Sequence, residues 1–271
     1  MKARDRLLAG ALALGLAALS CFPLPCRGGI IRPLTAAAET EEETAQRLQY
    51  ANTIACLVND HRASCGLREL MLLPDLTDLA QIRAEEMAVY CNRKRPGDVD
   101  WDTVLTENGF RYSYAAQNIA AGSNTPTGTF GQFMRSEGHR LNLEGENFTH
   151  IGIGYRYDPN AGRYYYFWAM ILAVCVDGAG QPDVREGEYY PTRARGDANA
   201  DTVINAADAT YILTHASELA VGVSVGTSKG LRESADLNGD GRVDAVDASA
   251  LLTYIAAAGV DPNVTIDSFV W

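Results

Sequence analysis

The stretch that organises the C-terminal part of the chain is Asp236-Leu-Asn-Gly-Asp-Gly-Arg-Val-Asp-Ala-Val-Asp247. Its oxygen-bearing side chains stand at positions 1, 3, 5, 9 and 12 of twelve, and Gly241 stands at position 6. A loop of this design gathers carboxylate and amide oxygens around one hard cation at a sharp turn. Residues 248–258, which follow, are apolar and rich in helix formers.

A second copy of the loop begins at Asp197, 39 residues before Asp236. Its sequence is Asp197-Ala-Asn-Ala-Asp-Thr-Val-Ile-Asn-Ala-Ala-Asp208. It has the same oxygen positions and is also followed by a helical pattern. The spacing is that of an EF-hand calcium loop. A polar turn that caps a helix would explain one copy, but it does not explain why five positions recur. The sequence therefore predicts two Ca²⁺ sites.

The predicted Ca²⁺ ligands are the polar side chains and the main-chain carbonyl at position 7. They are Asp197, Asn199, Asp201, Val203, Asn205 and Asp208 in the upstream loop, and Asp236, Asn238, Asp240, Arg242, Asp244 and Asp247 in the downstream loop. Position 12 is Asp in both loops, which is shorter than the usual Glu and makes bidentate coordination harder. We expect the upstream loop to bind more weakly, because it has Thr202 at position 6 and three Asp rather than four.

The paired loop-helix repeats resemble a dockerin module over residues 195–259. Dockerins are non-catalytic modules that bind cohesin modules on the scaffold proteins of cellulosome-like assemblies. The resemblance therefore implies a small all-α domain, Ca²⁺ as cofactor and a cohesin as partner. In that family, loop positions 10 and 11 and the following helix face the cohesin. Those positions are small or apolar here, as a hydrophobic contact requires: Ala206, Ala207, Ala245 and Val246.

The length of 271 residues accommodates one medium domain and one small domain. The chain has 23 basic and 34 acidic residues, a net charge of −11, and seven of the acids lie in the two loops. This balance argues against nucleic acid as a partner. Because the clustered Asp repel one another, we expect the small domain to be loose without Ca²⁺.

Residues 1–38 have the pattern of an export signal. Three basic residues stand within the first six, an apolar run covers residues 7–19, and residues 36–38 form an Ala-x-Ala-like cleavage site. The apolar run is shorter than the roughly 20 residues of a membrane span. An uncleaved anchor and a lipoprotein acylated at Cys21 are the alternatives. We predict a secreted protein, tethered to a scaffold or cell surface, with no membrane span after signal removal.

Four cysteines remain after signal removal: Cys56, Cys65, Cys91 and Cys175. In an exported protein they permit two disulfides, with three possible pairings. No CxxC spacing is present, which argues against a metal cluster. The alternative is that some are buried free thiols, and Cys56, in the middle of an amphipathic helix, fits that role best.

The segment between the signal and the repeats has helical periodicity first and strand periodicity last. Leu48, Ala51, Ala55 and Val58 define the buried face of the first helix. The second helix buries Leu76, Ala80, Ala84 and Met87. We predict helices at 44–63, from Asp75 onward, 101–108 and 127–136, a loop at 93–102, and strands at 151–157 and 164–174. Helices followed by a sheet predict an α+β domain.

Six short strings in this segment resemble the CAP (SCP/PR-1-like) superfamily in its bacterial form. They are Leu57-Val58-Asn59 with Arg62 and Gly66-Leu67; Arg83-Ala84-Glu85-Glu86-Met87; Arg95-Pro96; Asn118-Ile119-Ala120-Ala121-Gly122; Ser136-Glu137-Gly138-His139-Arg140-Leu141-Asn142; and His150-Ile151-Gly152-Ile153-Gly154. The resemblance implies an α–β–α sandwich with a central cleft over residues 44–176. A linker at 177–194 would join it to the dockerin-like domain at 195–259, which a tail at 260–271 follows.

Many CAP domains line the cleft with two His and two Glu, and some bind zinc there. The corresponding positions are Arg93, Gln117, Ser136 and His139. Only His139 keeps a zinc-ligand side chain, so we do not expect zinc in this cleft. His139 could act as a general base on Ser136, three residues earlier. In the alternative, Ser136 is a helix cap or a solvent-facing residue, and the His139 side chain is hydrogen-bonded to the backbone. We expect His61, His150 and His215 to be surface or packing residues.

The aromatic run 164–168 alternates between two faces of a strand, with Tyr164, Tyr166 and Trp168 on one face. We expect sheet packing for this run; a sugar or lipid platform is the alternative. The sequence as a whole predicts a secreted cellulosome-type component. Its dockerin would bind a cohesin in a Ca²⁺-dependent way and display a CAP-like domain that binds a polysaccharide, lipid or cell-wall ligand. A hydrolase acting on polysaccharide, cell wall or protein is the alternative, supported only by association with dockerin-bearing cargo and opposed by the lack of a catalytic carboxylate pair.

Overall fold

The computed structural model describes residues 39–177, 180 and 185–269. The predicted export signal and Trp271 lie outside them. The helices are α1 (Glu41–Ser64), α2 (Pro74–Val89), α3 (Thr103–Glu107), α4 (Pro126–Arg135), α5 (Glu137–Leu143), α6 (Ala206–Ala220), α7 (Lys229–Ala235) and α8 (Ala245–Val260). The strands are β1 (Met71–Leu72), β2 (Tyr112–Ala121), β3 (His150–Tyr157) and β4 (Tyr166–Cys175). In this part of the chain, no helix combines the length and apolar character that a membrane crossing needs.

Local signals set the ends of the first two helices. At the start of α1, the Thr40 side chain accepts a hydrogen bond from the Glu43 N–H, and the Glu43 carboxylate accepts one from the Thr40 N–H. Gly66, at φ +74°, follows its end. Pro74 opens α2 as its first residue, where a missing N–H costs nothing. These two predicted helices are confirmed.

The predicted buried faces are confirmed with one exception. All four residues named for α2 are at most 1% exposed, and so are the last three named for α1. Leu48 is 45% exposed, because the core reaches α1 only from Tyr50 onward.

The sheet has four strands in the order β1-β3-β4-β2. The short β1 runs parallel to β3, and the β3–β4 and β4–β2 pairs are antiparallel. The expectation of helices first and sheet last is wrong, because β2 lies between α3 and α4. Its sequence, Tyr-Ser-Tyr-Ala-Ala-Gln-Asn-Ile-Ala-Ala, is poor in β-branched residues, so strand propensity is weak and pairing along β4 decides its conformation.

Helices cover both faces of the sheet. One face, which includes Trp168 and Met170 of β4, packs on α1 and α4. The other face, which includes Phe167 and Ile171, packs on α2 and α3. The predicted α–β–α sandwich is therefore confirmed. Of the aromatic run, Phe167 and Trp168 serve this packing, since they point to opposite layers and are at most 1% exposed. Tyr165 is 49% exposed, and Tyr164, which precedes β4, packs beside Phe167 rather than on the Trp168 face predicted for it.

Two glycines of β3 let α2 approach the sheet closely. A Cβ at Gly152 would overlap the main chain of Leu76, and one at Gly154 would overlap the main chain of Ala80. The string His150-Ile-Gly-Ile-Gly154 thus sets the distance between strand and helix.

Of the four cysteines in the described part of the chain, Cys56, Cys65 and Cys91 have free thiols. The two permitted disulfides are therefore not formed in this structure. Cys56 is buried, as its helical position predicted, and burial raises the pKa of its thiol to about 11.

The C-terminal helices share a separate core. Ile212 of α6, Leu231 of α7 and Leu251 of α8 are fully buried in it. Ile266, from the segment after α8, joins the same core at 9% exposure. The predicted all-α domain is thus extended by part of the predicted tail.

The two domains contact each other through Asp60 on α1. Its carboxylate accepts two hydrogen bonds from Arg193 at 2.7 and 2.9 Å and one from the Tyr211 hydroxyl at 2.7 Å. The Ser228 hydroxyl also donates to it. Burial opposes the charge on Arg193, yet Asp60 holds its pKa above its usual value. The junction is therefore a buried polar network.

Candidate functional site

The two predicted Ca²⁺ loops share the hydrogen bonds at position 12 and differ at position 1, where both oxygens of Asp236 but only one of Asp197 accept hydrogen bonds. Position 12 closes each loop: Asp208 accepts hydrogen bonds from the Asn199 and Asn205 N–H groups at 3.1 and 2.9 Å. Asp247 does the same for its own loop, with bonds of 2.9 Å from the Leu237 N–H and of 2.9 Å from the Asp244 N–H. These bonds also complete the capping boxes of α6 and α8. Each loop is thus fixed to the start of its helix.

The loops need left-handed backbone at positions 4 and 6. The downstream loop places glycines there, Gly239 at φ +74° and Gly241 at φ +85°. The upstream loop places Ala200 at φ +59° and Thr202 at φ +71°. A Cβ carries a steric cost in this region of backbone space, so the upstream loop is the strained one.

The donor set fits a hard cation. Asp197 is 2% exposed, and its Oδ1 atom receives no hydrogen bond from any described residue. Burial raises the pKa of Asp197, and the charges of Asp208 and Asp201 raise it further. A buried, unpaired carboxylate oxygen beside two other carboxylates is costly unless a cation is bound there. Ca²⁺ binding at the twelve named ligand positions remains a prediction.

The four predicted cohesin-contact residues lie on the surface. Ala206 and Ala207 start α6, and Ala245 and Val246 start α8. All four lie outside the domain core, and Val246 is 58% exposed. Their contact with a cohesin stays a prediction.

The structure brings three of the four predicted cleft residues together. Arg93, Gln117 and His139 line one cavity of about 300 Å³. The remaining lining residues are Trp101, Ala115, Ala116, Ile119, Gly138 and Asn142. Ser136 does not line this cavity. It is the junction residue between α4 and α5, with φ −100° and ψ 115°.

The Ser136–His139 pair is not hydrogen-bonded within the part of the chain that the structure describes. The main-chain carbonyl of Ser136 accepts a hydrogen bond from the Arg140 N–H at 2.9 Å. The His139 and Phe133 rings form a T-shaped pair with their centroids 5.4 Å apart. Catalysis by this pair stays a prediction without geometric support.

A buried arginine, overlooked as a site residue, shapes the cleft. Arg83 of α2 is fully buried and donates to the Gln117 side chain at 2.9 Å. It also forms an ion pair with Glu86 and donates to the carbonyls of three consecutive residues, Asn92 to Lys94. The signal in the sequence was an Arg and a Glu three residues apart on the apolar face of a helix.

Two further ion pairs fix the far side of the same loop. Arg95 contacts Glu86 at 2.8 Å and Glu107 at 2.6 Å. Gln117 in turn donates to the Arg93 carbonyl at 3.2 Å. The cleft wall formed by the loop after α2 is therefore held from two sides.

The cleft is electrostatically neutral to positive. Burial lowers the pKa of His139, and the charge of Arg93 lowers it further. The ring is thus uncharged at neutral pH. No acidic residue is among the nine described residues that line the cavity. Since Arg cannot ligate zinc and Gln is a weak ligand, this donor set does not fit a zinc ion.

Comparison with known proteins assigns both segments. Residues 56–172 match the family model described as "CAP: Cysteine-rich secretory protein family", and residues 195–256 match the "Dockerin type I domain" model. The "Uncharacterized protein YkwD" of Bacillus subtilis (strain 168) is 33% identical over 108 residues, which are 39% of this chain and 42% of that protein.

Solved structures show similarity at low identity. An extracellular protein containing an SCP domain from Bacillus anthracis str. Ames aligns with a TM-score of 0.44 and 24% identity over 51% of this chain and 45% of that chain. An outer surface protein from Borrelia burgdorferi aligns with a TM-score of 0.42 and 11% identity over 51% of this chain and 97% of that chain. The chain spans less than half the length of the two Bacillus proteins. Residues 56–172 of this chain are a CAP domain, and residues 195–256 are a type I dockerin domain.

Proposed function

We propose that this protein is a secreted component of a cellulosome-type assembly, in which Ca²⁺ orders the dockerin domain and the ordered domain binds a cohesin. The observation that carries the proposal is the pair of loops, each fixed to a helix whose first turn exposes small or apolar side chains. The buried Asp197 oxygen without a hydrogen-bond partner supports the Ca²⁺ requirement.

Binding of a purified type I cohesin module to the full chain tests this proposal. We expect binding in Ca²⁺ that is lost when a chelator is added. We also expect Val246→Arg to weaken binding strongly, because it places a charge in an apolar contact. Val89→Arg is the matched control, since Val89 is an exposed valine of the CAP domain, and it should bind as the wild type does. Equal binding in chelator would contradict the Ca²⁺ requirement, and equal weakening in the two variants would contradict the assigned contact.

We further propose that the CAP domain is a binding module rather than a hydrolase. Its cleft offers the Arg93 guanidinium and an aromatic wall at Trp101, beside the Gln117 and Asn142 amides, which also hydrogen-bond within the protein. Its described lining has none of the paired carboxylates that glycoside hydrolysis requires. These groups suit a neutral or anionic polar ligand, such as a plant or cell-wall polysaccharide.

Sedimentation with insoluble polysaccharide and with peptidoglycan tests the second proposal. We expect the chain to bind one of them without product release, and Arg93→Ala to reduce binding. Product release that disappears in His139→Ala would establish the hydrolase instead.

A further inference from the structure

A second group of metal-ligand side chains lies outside the cleft. His61 and Cys65 stand one helical turn apart at the C-terminal end of α1, and Glu144 follows α5. His61 Nε2 is 3.0 Å from Glu144 Oε1 and 3.8 Å from Cys65 Sγ. The three ligand atoms all lie within 4.8 Å of one another.

These separations are close to what a zinc ion needs. Bonds of about 2.3 Å to sulfur and about 2.0–2.2 Å to nitrogen and oxygen place tetrahedral ligands roughly 3.3–3.7 Å apart. The histidine–cysteine separation of 3.8 Å lies close to that range, and the histidine–carboxylate distance of 3.0 Å would need to widen slightly. Small side-chain adjustments would therefore admit an ion and leave a fourth position for water.

A buried residue holds Glu144 beside α1. Arg62 is fully buried and donates to the carbonyls of Leu143 and Gly145 at 2.6 and 2.9 Å, one on each side of Glu144. Arg62 is adjacent to His61 in α1. The turn of α1 that carries the His61 ligand therefore also anchors the main chain on both sides of Glu144. Such anchoring of the neighbouring backbone is what a pre-organised metal site requires.

The convergence of atoms distinguishes a metal site from a catalytic relay. In a cysteine–histidine–carboxylate relay, the thiol and the acid contact opposite nitrogens of the ring. Here Cys65 Sγ and Glu144 Oε1 both face Nε2 of His61. Three ligand atoms within 4.8 Å of one another, two of them beside the same ring nitrogen, are close enough to share one ion.

The charges around the site include one that favours a bound cation and one that opposes it. The C-terminal end of α1 carries partial negative charge, which favours a cation. Arg140 opposes it, since its Nε is 3.6 Å from Glu144 Oε1 and competes for that oxygen. Arg140 is exposed enough to swing away when an ion binds, because its side chain is 41% accessible.

We infer that His61, Cys65 and Glu144 bind one Zn²⁺ ion, or another thiophilic divalent metal, on the CAP domain. This site is separate from the cleft and from the two Ca²⁺ loops. It combines thiolate, imidazole and carboxylate ligands, which suit Zn²⁺ and do not suit Ca²⁺.

Cobalt titration of the full chain tests the inference. The protein is reduced, treated with chelator and then kept in excess Ca²⁺, so that the oxygen-rich loops are filled. We expect one equivalent of Co²⁺ to produce a near-ultraviolet thiolate-to-cobalt absorption band, and Zn²⁺ to displace it.

Three variants locate the site. Cys65→Ser should abolish the band. Cys91→Ser, which removes the other exposed thiol in the described part of the chain, should leave the band unchanged. Glu144→Gln keeps every thiol and should weaken Co²⁺ binding at least 100-fold. Substitution of a residue that only hydrogen-bonds to a metal ligand typically lowers metal affinity by roughly 10–100-fold, so a larger loss marks Glu144 as a ligand itself. Circular dichroism checks that each variant is folded. A band that persists in Cys65→Ser, or no metal uptake by the reduced wild-type protein, would overturn the inference.

Discussion

The substitution Gly241→Ala should weaken the downstream Ca²⁺ site through backbone strain alone. Gly241 adopts φ +85°, and a Cβ added there meets no atom within 4 Å. No steric clash therefore accompanies the substitution, and the cost is that of a left-handed L-residue, about 1–2 kcal/mol. On the expectation that repulsion among the carboxylates loosens the loop before an ion binds, this cost falls on binding. It corresponds to an affinity loss of about 5–30-fold.

Calorimetric Ca²⁺ titration in an Asp197→Ala background measures this effect, because that background removes the upstream site. Gly259→Ala is the matched control, since it adds a methyl group in open space near the end of α8 and Gly259 has no positive φ. Its Ca²⁺ affinity should match the background. An unchanged dissociation constant for Gly241→Ala would refute the argument that the bound loop keeps this backbone.

The reverse substitution checks the same reasoning in the upstream loop. Thr202→Gly removes strain of similar size at φ +71° but also loses the hydrogen bond that the Thr202 hydroxyl accepts from Gln49 at 3.2 Å. That bond is exposed and contributes about 0.5 kcal/mol. We expect Ca²⁺ affinity at this site to rise by roughly 2–10-fold, measured in an Asp236→Ala background. Weaker binding would show that the contact with Gln49 outweighs the strain.

Three further predictions concern stability. Asp60→Asn should lower the free energy of unfolding, measured in urea, by about 3–5 kcal/mol, because it leaves buried Arg193 without its counter-ion. The control Asp98→Asn, at an exposed position, should change the free energy of unfolding by less than about 0.5 kcal/mol. Gly154→Ala should lower the free energy of unfolding by about 1–3 kcal/mol or more, because the added Cβ forces α2 away from the sheet. An unchanged melting temperature would contradict the close packing of α2 on β3. In the folded protein the pKa of the Cys56 thiol is raised from an ordinary 9.0 to about 11. The contribution of the uncharged thiol to the free energy of unfolding is therefore complete below pH 9. It should fall by about 2 kcal/mol as the pH rises to 11. Urea unfolding of Cys56→Ala should show a correspondingly shallower pH dependence, and an equal slope would contradict burial as the cause.

The domain junction makes the two domains one packed unit. Besides the Asp60 network, Asn52 of α1 donates to the Thr192 carbonyl at 2.6 Å and accepts from the Thr192 N–H at 3.2 Å. Arg193 also donates to the Ala198 carbonyl, which lies inside the upstream loop. The segment predicted as a linker is thus bound to the CAP domain over its described C-terminal part.

The sequence by itself determined the features that depend on near neighbours in the chain. The loops with Asp at positions 1, 5 and 12, the Thr40 cap and the Pro74 helix start all follow from local sequence. Their hydrogen bonds join residues no more than ten positions apart, so a short window of sequence contains both partners.

Only the tertiary structure decided what depends on distant partners. Strand β2 has weak propensity and exists because it pairs with β4. The cleft depends on Arg83 reaching Gln117, 34 residues away, and the proposed metal site depends on Glu144 reaching His61, 83 residues away. Residue type alone marks these side chains as ordinary surface or helix residues. Their chemistry arises because packing of the helices on the sheet brings side chains into contact and removes them from water, and no local pattern encodes that proximity.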